Sequence, residues 1–96
     1  MAVKLYISQP MRGKCMTDIM AERKQLVAEA AVALRTDDIL VLDTLFINHD
    51  RPRLEMLGRS IEKMAEADAV IFAPDWKQAA GCRVEHLAAS EYEMRI

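Results

Sequence analysis

The chain has 96 residues, of which 52% are apolar and 29% are charged, and this composition is typical of one small globular domain. We therefore expect a single domain over residues 1–96. A formal net charge of -2 provides no long-range attraction for nucleic acid, which argues against a polymeric nucleic-acid partner. No apolar run approaches the roughly 20 residues of a membrane-spanning helix, so we expect a cytoplasmic protein without a membrane partner.

The first half of the chain predicts a βαβ unit. Val3–Ser8 is rich in apolar and β-favouring residues and is typical of a central strand. A long helical pattern follows, for which Thr17 is the expected N-cap. Residues 39–42 form a second short apolar strand. Because such units are right-handed, the helix should cover one side of a parallel sheet.

The second half of the chain predicts two more helices and one buried strand. Asp50 is expected to cap the second helix, with Pro52 in its first turn. Residues 69–73 form an unbroken apolar run that fits a parallel strand covered on both faces. The last helix should span about 83–93, and residues 94–96 are a candidate for a short fourth strand whose open edge a partner subunit would cover.

Glu85 is the strongest candidate for a functional carboxylate. It follows the loop after the third predicted strand and is expected in the first turn of the last helix. Ligands of open α/β sheets bind beyond the carboxyl ends of the strands, where helix N-termini stabilise anions. An ionised carboxylate there can act as a nucleophile or stabilise an oxocarbenium ion. A charge that merely supports the helix is the simpler interpretation of its position, so both remain open.

Two further features offer ligand-binding chemistry. Arg12 and Lys14 flank Gly13 in the loop after the first strand, where they either bind a phosphate or are simply solvated. Trp76 either stacks on a base or caps the core. The chain has no P-loop and no dinucleotide-binding glycine motif, so these residues do not specify a nucleoside triphosphate or a dinucleotide.

The cysteines and histidines do not indicate a metal centre. Cys82 and His86 lie four residues apart, and Cys15 and His49 are the other candidate ligands. These four residues lack the paired spacing that is typical of metal-binding motifs. A nucleophilic pair of Cys82 and His86 lacks an orienting third group in the sequence. We expect no metal and no cofactor, and we expect both cysteines to be buried or half-buried thiols.

Three segments of the chain resemble the nucleoside 2-deoxyribosyltransferase superfamily: YISQPMRG (6–13), ADAVIFAPDW (67–76) and GCRVEH (81–86). The sequence is most similar to a small phage- and prophage-associated branch, which is related to 2'-deoxynucleoside 5'-phosphate N-hydrolases. The segments span nearly the whole chain, in the family's order and with similar spacings. The resemblance implies an α/β fold, namely a flavodoxin-like (Rossmann-like) doubly wound three-layer sandwich around a short parallel sheet of about three to five strands.

The resemblance implies that the protein acts on the N-glycosidic bond of a nucleoside or nucleotide. Glu85 matches the glutamate that attacks the anomeric carbon, releases the base and forms a glycosyl-enzyme, which water or a second base then resolves. Tyr6 matches the aromatic residue whose hydroxyl orients that nucleophile. The sequence leaves open whether the protein is a hydrolase or a transferase, and whether the sugar is ribose or deoxyribose.

The resemblance also implies a set of substrate-binding positions. The loop after the first strand matches the family's loop around the sugar and its 5' end, with Arg12 as the natural phosphate ligand. Gly81 matches a glycine that allows the backbone to approach the ligand, and Trp76 belongs to a loop that could cover the base. The full predicted set is Gln9, Met11, Arg12, Gly13, Ser60, Asp75, Trp76 and Gly81.

Three departures from the family pattern favour an alternative function. Gln9 stands where the family commonly has glycine, and Ala79 stands where relatives often have a phosphate-binding serine. Ser60 stands where active hydrolases have an aspartate that acts on the leaving base, and loss of a general acid typically costs about 10²–10⁴-fold in rate. Glu62 and Asp75 are candidate substitutes, although neither is at the matching position. The alternative is a catalytically reduced module that senses or sequesters a nucleotide, and an interaction domain without a ligand is a third interpretation.

Self-association is a further expectation. Members of the superfamily commonly assemble as dimers or larger oligomers, with residues of a neighbour completing the pocket. Because the chain is short and its last strand is abbreviated, we expect a homo-oligomer here too. The expected partners are thus a small-molecule nucleoside or nucleotide and further copies of the chain.

Overall fold

The computed structural model describes residues 2–42 and 52–95. Within these ranges the chain forms a small α/β structure with a parallel sheet and helices in alternation, as the sequence predicts. The elements are β1 (Val3–Ser8), α1 (Met16–Leu34), β2 (Ile39–Val41), α2 (Arg53–Met64), β3 (Ala69–Phe72) and α3 (Ala80–Glu91), with a 3-10 turn (Trp76–Gln78) before α3.

The sheet places β1 at its centre. The three described strands are parallel and follow the order β2-β1-β3. In the register of the sheet, Leu5 lies beside Val41 on one side and Ala69 on the other. The carboxyl ends of the strands therefore meet at one edge, where Ser8 and Phe72 are paired and where the loops before α1 and α3 begin.

The helices pack on both faces of the sheet. On one face, Leu5 and Ile7 join Leu26 and Ala30 of α1 in a buried cluster. On the other face, Tyr6 joins Val70, Met64 of α2 and Ala89 of α3. The alternation along β1 produces this division because successive side chains of a strand point to opposite faces. It also places Tyr6 on the face covered by α2 and α3.

Several predicted helix starts are wrong by a few residues. Helix α1 begins at Met16 with Cys15 as its N-cap rather than Thr17, and no side chain hydrogen-bonds at that cap. Pro52 is the N-cap of α2 rather than part of its first turn, and the predicted cap Asp50 lies outside the described residues. Helix α3 begins at Ala80 instead of about residue 83, after an extended Ala79. Among the described residues, the N-cap side chains of α1, α2 and α3 make no capping hydrogen bond.

The C-terminal segment lies along β3 without forming a strand in the described residues. The N–H of Val70 donates a hydrogen bond of 2.8 Å to the carbonyl oxygen of Arg95. This single bond occupies the outer edge of β3 where the fourth strand was predicted, and the remainder of that prediction, Ile96, falls outside the described residues. In the described parts of the chain, no helix combines the length and the apolar character that crossing a membrane requires.

Candidate active site

Glu85 is buried against two hydroxyl groups of the central strand. Tyr6 and Glu85 are only 2% and 6% exposed, and the Tyr6 hydroxyl donates a hydrogen bond to Oε2 of Glu85. The Ser8 hydroxyl donates a longer hydrogen bond of 3.5 Å to Oε1. Tyr6 and Ser8 are two positions apart on β1 and share a face, so the strand presents both hydroxyls to α3. Both carboxylate oxygens of Glu85 thus have a donor.

The position of Glu85 in α3 corrects one part of the sequence interpretation. Because α3 begins at Ala80, Glu85 is in the second turn, and the first turn contains no acidic residue. Its carboxylate therefore does not serve as the charge that supports the helix N-terminus. Cys82, Glu85 and Ala89 are the buried residues of α3, at the spacing of one helix face that packs on the sheet.

Burial and hydrogen bonding act in opposite directions on Glu85. Desolvation raises the pKa of the Glu85 carboxyl above its ordinary value, and hydrogen bonds from Tyr6 and Ser8 lower it again. The pKa of Tyr6 is raised chiefly by burial and further by the charge of Glu85. Tyr6 therefore keeps its proton and acts as a donor that favours the ionised form of Glu85.

Ser60 belongs to the same cluster. Hydrogen bonding with the half-buried Ser60 side chain of α2 lowers the pKa of Tyr6, against the effects of burial and of Glu85. The position at which the family resemblance expects an acid thus lies beside the Tyr6 hydroxyl. In this chain it supplies only a neutral hydroxyl.

Lys14 and Asp75 join the loop after β1 to the loop after β3. Lys14 Nζ lies 2.8 Å from Asp75 Oδ2 and 3.6 Å from Glu22 Oε1 of α1. The hydrogen bond with Asp75 is the largest cause of the raised pKa of Lys14. The second oxygen of Asp75, Oδ1, is buried and has no hydrogen-bond partner among the described residues. Lys14 is therefore engaged in ion pairs rather than simply solvated.

The Gln9 side chain is directed to α1. Its amide nitrogen donates to Glu22 Oε1 at 2.8 Å and to the carbonyl oxygen of Ile19 at 3.3 Å, while its amide oxygen accepts a 3.2 Å hydrogen bond from Arg23 Nη1. Gln9 is 5% exposed and Arg23 is 7% exposed. Both the nitrogen and the oxygen of the Gln9 side-chain amide have partners within the chain. The predicted contact of Gln9 with a ligand would therefore involve its backbone atoms.

The rest of the loop after β1 forms a tight turn. The N–H of Lys14 donates a 3.1 Å hydrogen bond to the carbonyl oxygen of Met11, and Gly13 has a φ of 80°, in the left-handed region that favours glycine. Met11 is half-buried and Arg12 is exposed. Arg12 thus remains a candidate for phosphate binding at the tip of this turn.

Trp76 is part of an aromatic cluster with Phe72 and His86. Its ring stacks on His86 with centroids 3.9 Å apart and an interplanar angle of 4°, and Phe72 lies 4.8 Å from His86. The ammonium of Lys77 lies 5.6 Å from the indole centroid. One face of the Trp76 ring is therefore covered by the chain itself, and its predicted contact with a base stays a prediction.

Gly81 and the cysteines occupy different environments. An added Cβ at Gly81 would meet Leu57 at an ordinary 3.9 Å, so packing within the described chain does not require glycine there. Cys82 is buried, as predicted, whereas Cys15 is exposed, which contradicts the prediction for that residue. No group of three or more His, Cys, Asp and Glu side chains in the described ranges could hold a metal ion, and His49 lies outside those ranges.

Three contributors to the cluster lie outside the predicted set of site residues: Ser8, Cys82 and Lys14. Lys14 was considered only as a phosphate ligand, and Cys82 only as a metal ligand or nucleophile. Burial raises the pKa of the Cys82 thiol, hydrogen bonding with Ser8 lowers it, and the charges of Glu85 and Asp75 raise it further. The spacing of Ser8 from Tyr6 along a strand, and of Cys82 from Glu85 along a helix, placed each pair on one face. That signal was present, but only the chain's tertiary packing shows that the two faces meet.

The chain belongs to the protein family described as a domain of unknown function (DUF4406), whose profile matches residues 3–96. No curated protein and no solved structure matches the sequence. The matched region includes every residue of the cluster around Glu85.

Proposed function

We propose that this protein cleaves the N-glycosidic bond of a nucleoside or nucleotide, as a nucleoside deoxyribosyltransferase or N-hydrolase. The observation that carries the proposal is the buried hydrogen bond from Tyr6 to Glu85, near the carboxyl end of the central strand. A carboxylate with two hydroxyl donors and little solvent is suited to act as a nucleophile. The sequence resemblance to the nucleoside 2-deoxyribosyltransferases assigns those roles to the same two residues.

We further infer that the sheet is a short form of the flavodoxin-like, Rossmann-like doubly wound fold. The order β2-β1-β3 and the helices on both faces support this inference, since flavodoxin-like sheets begin with the order 2-1-3. In such sheets, ligands bind beyond the carboxyl ends of the strands. Ser8, Lys14 and Asp75 lie at or follow these ends.

In the proposed reaction, an ionised oxygen of Glu85 attacks the anomeric carbon of the sugar. The bond between that carbon and the base nitrogen breaks, its electron pair leaves with the base, and the base acquires a proton from solvent or a neighbouring acid. Water or a second base then displaces Glu85 from the glycosyl-enzyme. Tyr6 and Ser8 hold the carboxylate in position and favour its ionised form.

A catalytically reduced nucleotide-binding module is the second candidate. Ser60 favours it because a neutral hydroxyl beside Tyr6 cannot replace an acid that protonates the leaving base. Ala79, the N-cap of α3, likewise has no hydroxyl to donate to a phosphate. Such a module would bind the same ligand and release no base.

We also propose that the protein assembles as a dimer or larger oligomer. The small size of the domain supports this, because a chain of 96 residues buries only a limited core on its own. Size-exclusion chromatography with light scattering tests the proposal directly. A monomer at micromolar concentration would contradict it.

Base release, followed by liquid chromatography, tests the proposed activity. The substrates are deoxynucleosides and their 5'-monophosphates, and the variants are Glu85→Gln and the matched control Glu91→Gln, an exposed residue of the same helix. We expect release by the wild type and the control but not by Glu85→Gln. Exchange with an added base would identify a transferase. Tight binding without release by the wild type would favour the binding module.

A further inference from the structure

Helix α3 has an apolar centre on the side that faces away from the sheet. Its buried residues are Cys82, Glu85 and Ala89. Leu87 lies about 200° around the helix from Glu85 and from Ala89, because successive residues are about 100° apart. Leu87 is 61% exposed, and Val84, one turn earlier, is 42% exposed. Single exposed leucines are common on protein surfaces, so the charges around this one decide what the face can do.

Two charges flank the apolar centre at opposite ends of α3. Arg83 precedes Leu87 by four residues and Glu91 follows it by four, so both lie on the same side of the helix as Leu87. Arg83 is in the first turn and Glu91 is the last residue. A helix macrodipole favours the opposite arrangement, with anions at the N-terminus and cations at the C-terminus. The two charges therefore do not stabilise their own helix.

Neither charge is neutralised by the rest of the described chain. The ion pairs among the described residues include neither Arg83 nor Glu91, and both side chains are exposed. Arg83 Nη1 donates a 2.6 Å hydrogen bond to the carbonyl oxygen of Lys77, and the other N–H groups of the guanidinium remain available. Both charges can therefore pair with a second molecule.

Helix α2, on the same side of the sheet, has a different outer surface. Its charges pair within the chain, with Arg59 3.9 Å from Glu55 and Lys63 3.3 Å from Glu66. Ion pairs at this spacing are typical of a helix face in contact with solvent. The outer face of α3 combines exposed apolar side chains with charges that lack such partners, so α3 is the helix suited to an interface.

We propose that the outer face of α3 forms a two-fold symmetric dimer, in which α3 packs antiparallel on α3 of a second copy with Leu87 at the axis. In this arrangement, Arg83 lies opposite Glu91 of the partner subunit, and the symmetry forms that ion pair twice. Each charge also meets the end of the partner's helix that suits its sign. Because such an interface is closed, assembly stops at two chains. This inference specifies the interface of the oligomer proposed above.

The proposed interface and Glu85 lie on opposite sides of α3. Glu85 faces β1, where it accepts hydrogen bonds from Tyr6 and Ser8. Substitutions on the outer face leave those contacts in place, so assembly is measured separately from base release. An intact dimer without base release would count against the proposed activity alone, and a dimer formed through another face would count against this interface alone.

Charge reversal tests the two ion pairs. We expect Arg83→Glu and Glu91→Arg each to raise the dissociation constant of the dimer about 10- to 100-fold, because the symmetry converts one reversal into two repulsive contacts. The double variant Arg83→Glu/Glu91→Arg should dimerise like the wild type. An equal mixture of the two single variants should form a heterodimer. Size-exclusion chromatography with light scattering measures the masses, and native mass spectrometry identifies the heterodimer.

Leu87→Glu tests the apolar centre independently of the charges. It places two carboxylates at the axis and should leave a folded monomer, as judged by circular dichroism. Leu54→Glu is the matched control, because Leu54 is a 79% exposed leucine of α2, and it should leave the dimer intact. A monomeric wild type, a dimer that persists in both Arg83→Glu and Leu87→Glu, or a double variant and mixture that stay monomeric would overturn the proposal.

Discussion

The hydroxyl of Tyr6 donates a hydrogen bond to Oε2 of Glu85, although the two residues lie 79 positions apart in the sequence. Strand β1 supplies the donor and helix α3 supplies the acceptor, and both side chains are almost fully buried. The contact therefore depends on correct packing of the first and last elements of the domain. It connects the fold directly to the proposed chemistry at Glu85.

Replacing Tyr6 with phenylalanine should reduce base release while preserving the fold. The ring keeps its packing, but Glu85 loses its principal donor, and hydrogen bonds to charged groups correspond to about 10- to 100-fold in rate. Tyr92→Phe is the control because Tyr92 is 83% exposed. The measurement is kcat/KM for base release, together with circular dichroism. Equal rates for the two variants would contradict the role of Tyr6.

Removing the Ser8 hydroxyl should shift the pH dependence of base release. The reaction needs ionised Glu85, so the rate falls as pH decreases through the pKa of Glu85, and burial raises that pKa above the ordinary value. Because the Ser8 hydrogen bond lowers the pKa, Ser8→Ala should move the acidic limb of kcat/KM to higher pH. Ser90→Ala, at an exposed position, should leave the limb unchanged. A shift of the limb to lower pH would show that this electrostatic account is wrong.

Gln9→Ala should destabilise the domain. The substitution leaves Arg23 without its hydrogen bond to Gln9 and removes a donor from Glu22. A hydrogen bond to a charged group contributes about 1.5–3 kcal/mol, so the free energy of unfolding measured in urea should fall by about that amount. The control is Gln25→Ala, at an exposed position of α1. It should change the free energy of unfolding by less than about 0.5 kcal/mol. Equal stability of the two variants would contradict the anchoring role of Gln9.

Ser60→Asp should increase base release if the reaction lacks a general acid. Ser60 interacts with Tyr6 beside Glu85, and a well-placed acid contributes about 10²–10⁴-fold. Ser60→Asn has a similar shape and no acidic proton, so it should not produce the increase. The comparison uses kcat at pH values where an aspartic acid retains part of its protons. If neither variant exceeds the wild type, the missing acid is not what limits the rate.

The sequence was sufficient to predict the type of fold and its central strand. Apolar runs at β1 and β3 and the long helical pattern of α1 are strong local signals, because burial on one or both faces requires them. The meeting of Tyr6 with Glu85 was predicted from the family resemblance. The contact itself is a consequence of strand alternation and helix periodicity, which place these two side chains on facing surfaces.

Other features depend on tertiary contacts that leave no local signal. The start of α3 was misplaced because Ala79 and Ala80 contain no capping side chain, and this error put Glu85 in the first turn. Gln9 binds Glu22 and Arg23 because β1 and α1 meet at that end of the sheet. Residue type and spacing predict neither the partners of the Gln9 amide nor the lack of a hydrogen-bond partner for Asp75 Oδ1 among the described residues.

Detection of the covalent intermediate tests the central role of Glu85 most directly. The wild type is mixed with the best-cleaved deoxynucleoside, quenched in acid within seconds and analysed by intact-protein mass spectrometry, and the modified peptide is sequenced. We predict an added mass equal to one deoxyribosyl group, located on Glu85 and absent from Glu85→Gln. Base release without any adduct, or an adduct on another residue, would contradict Glu85 as the nucleophile.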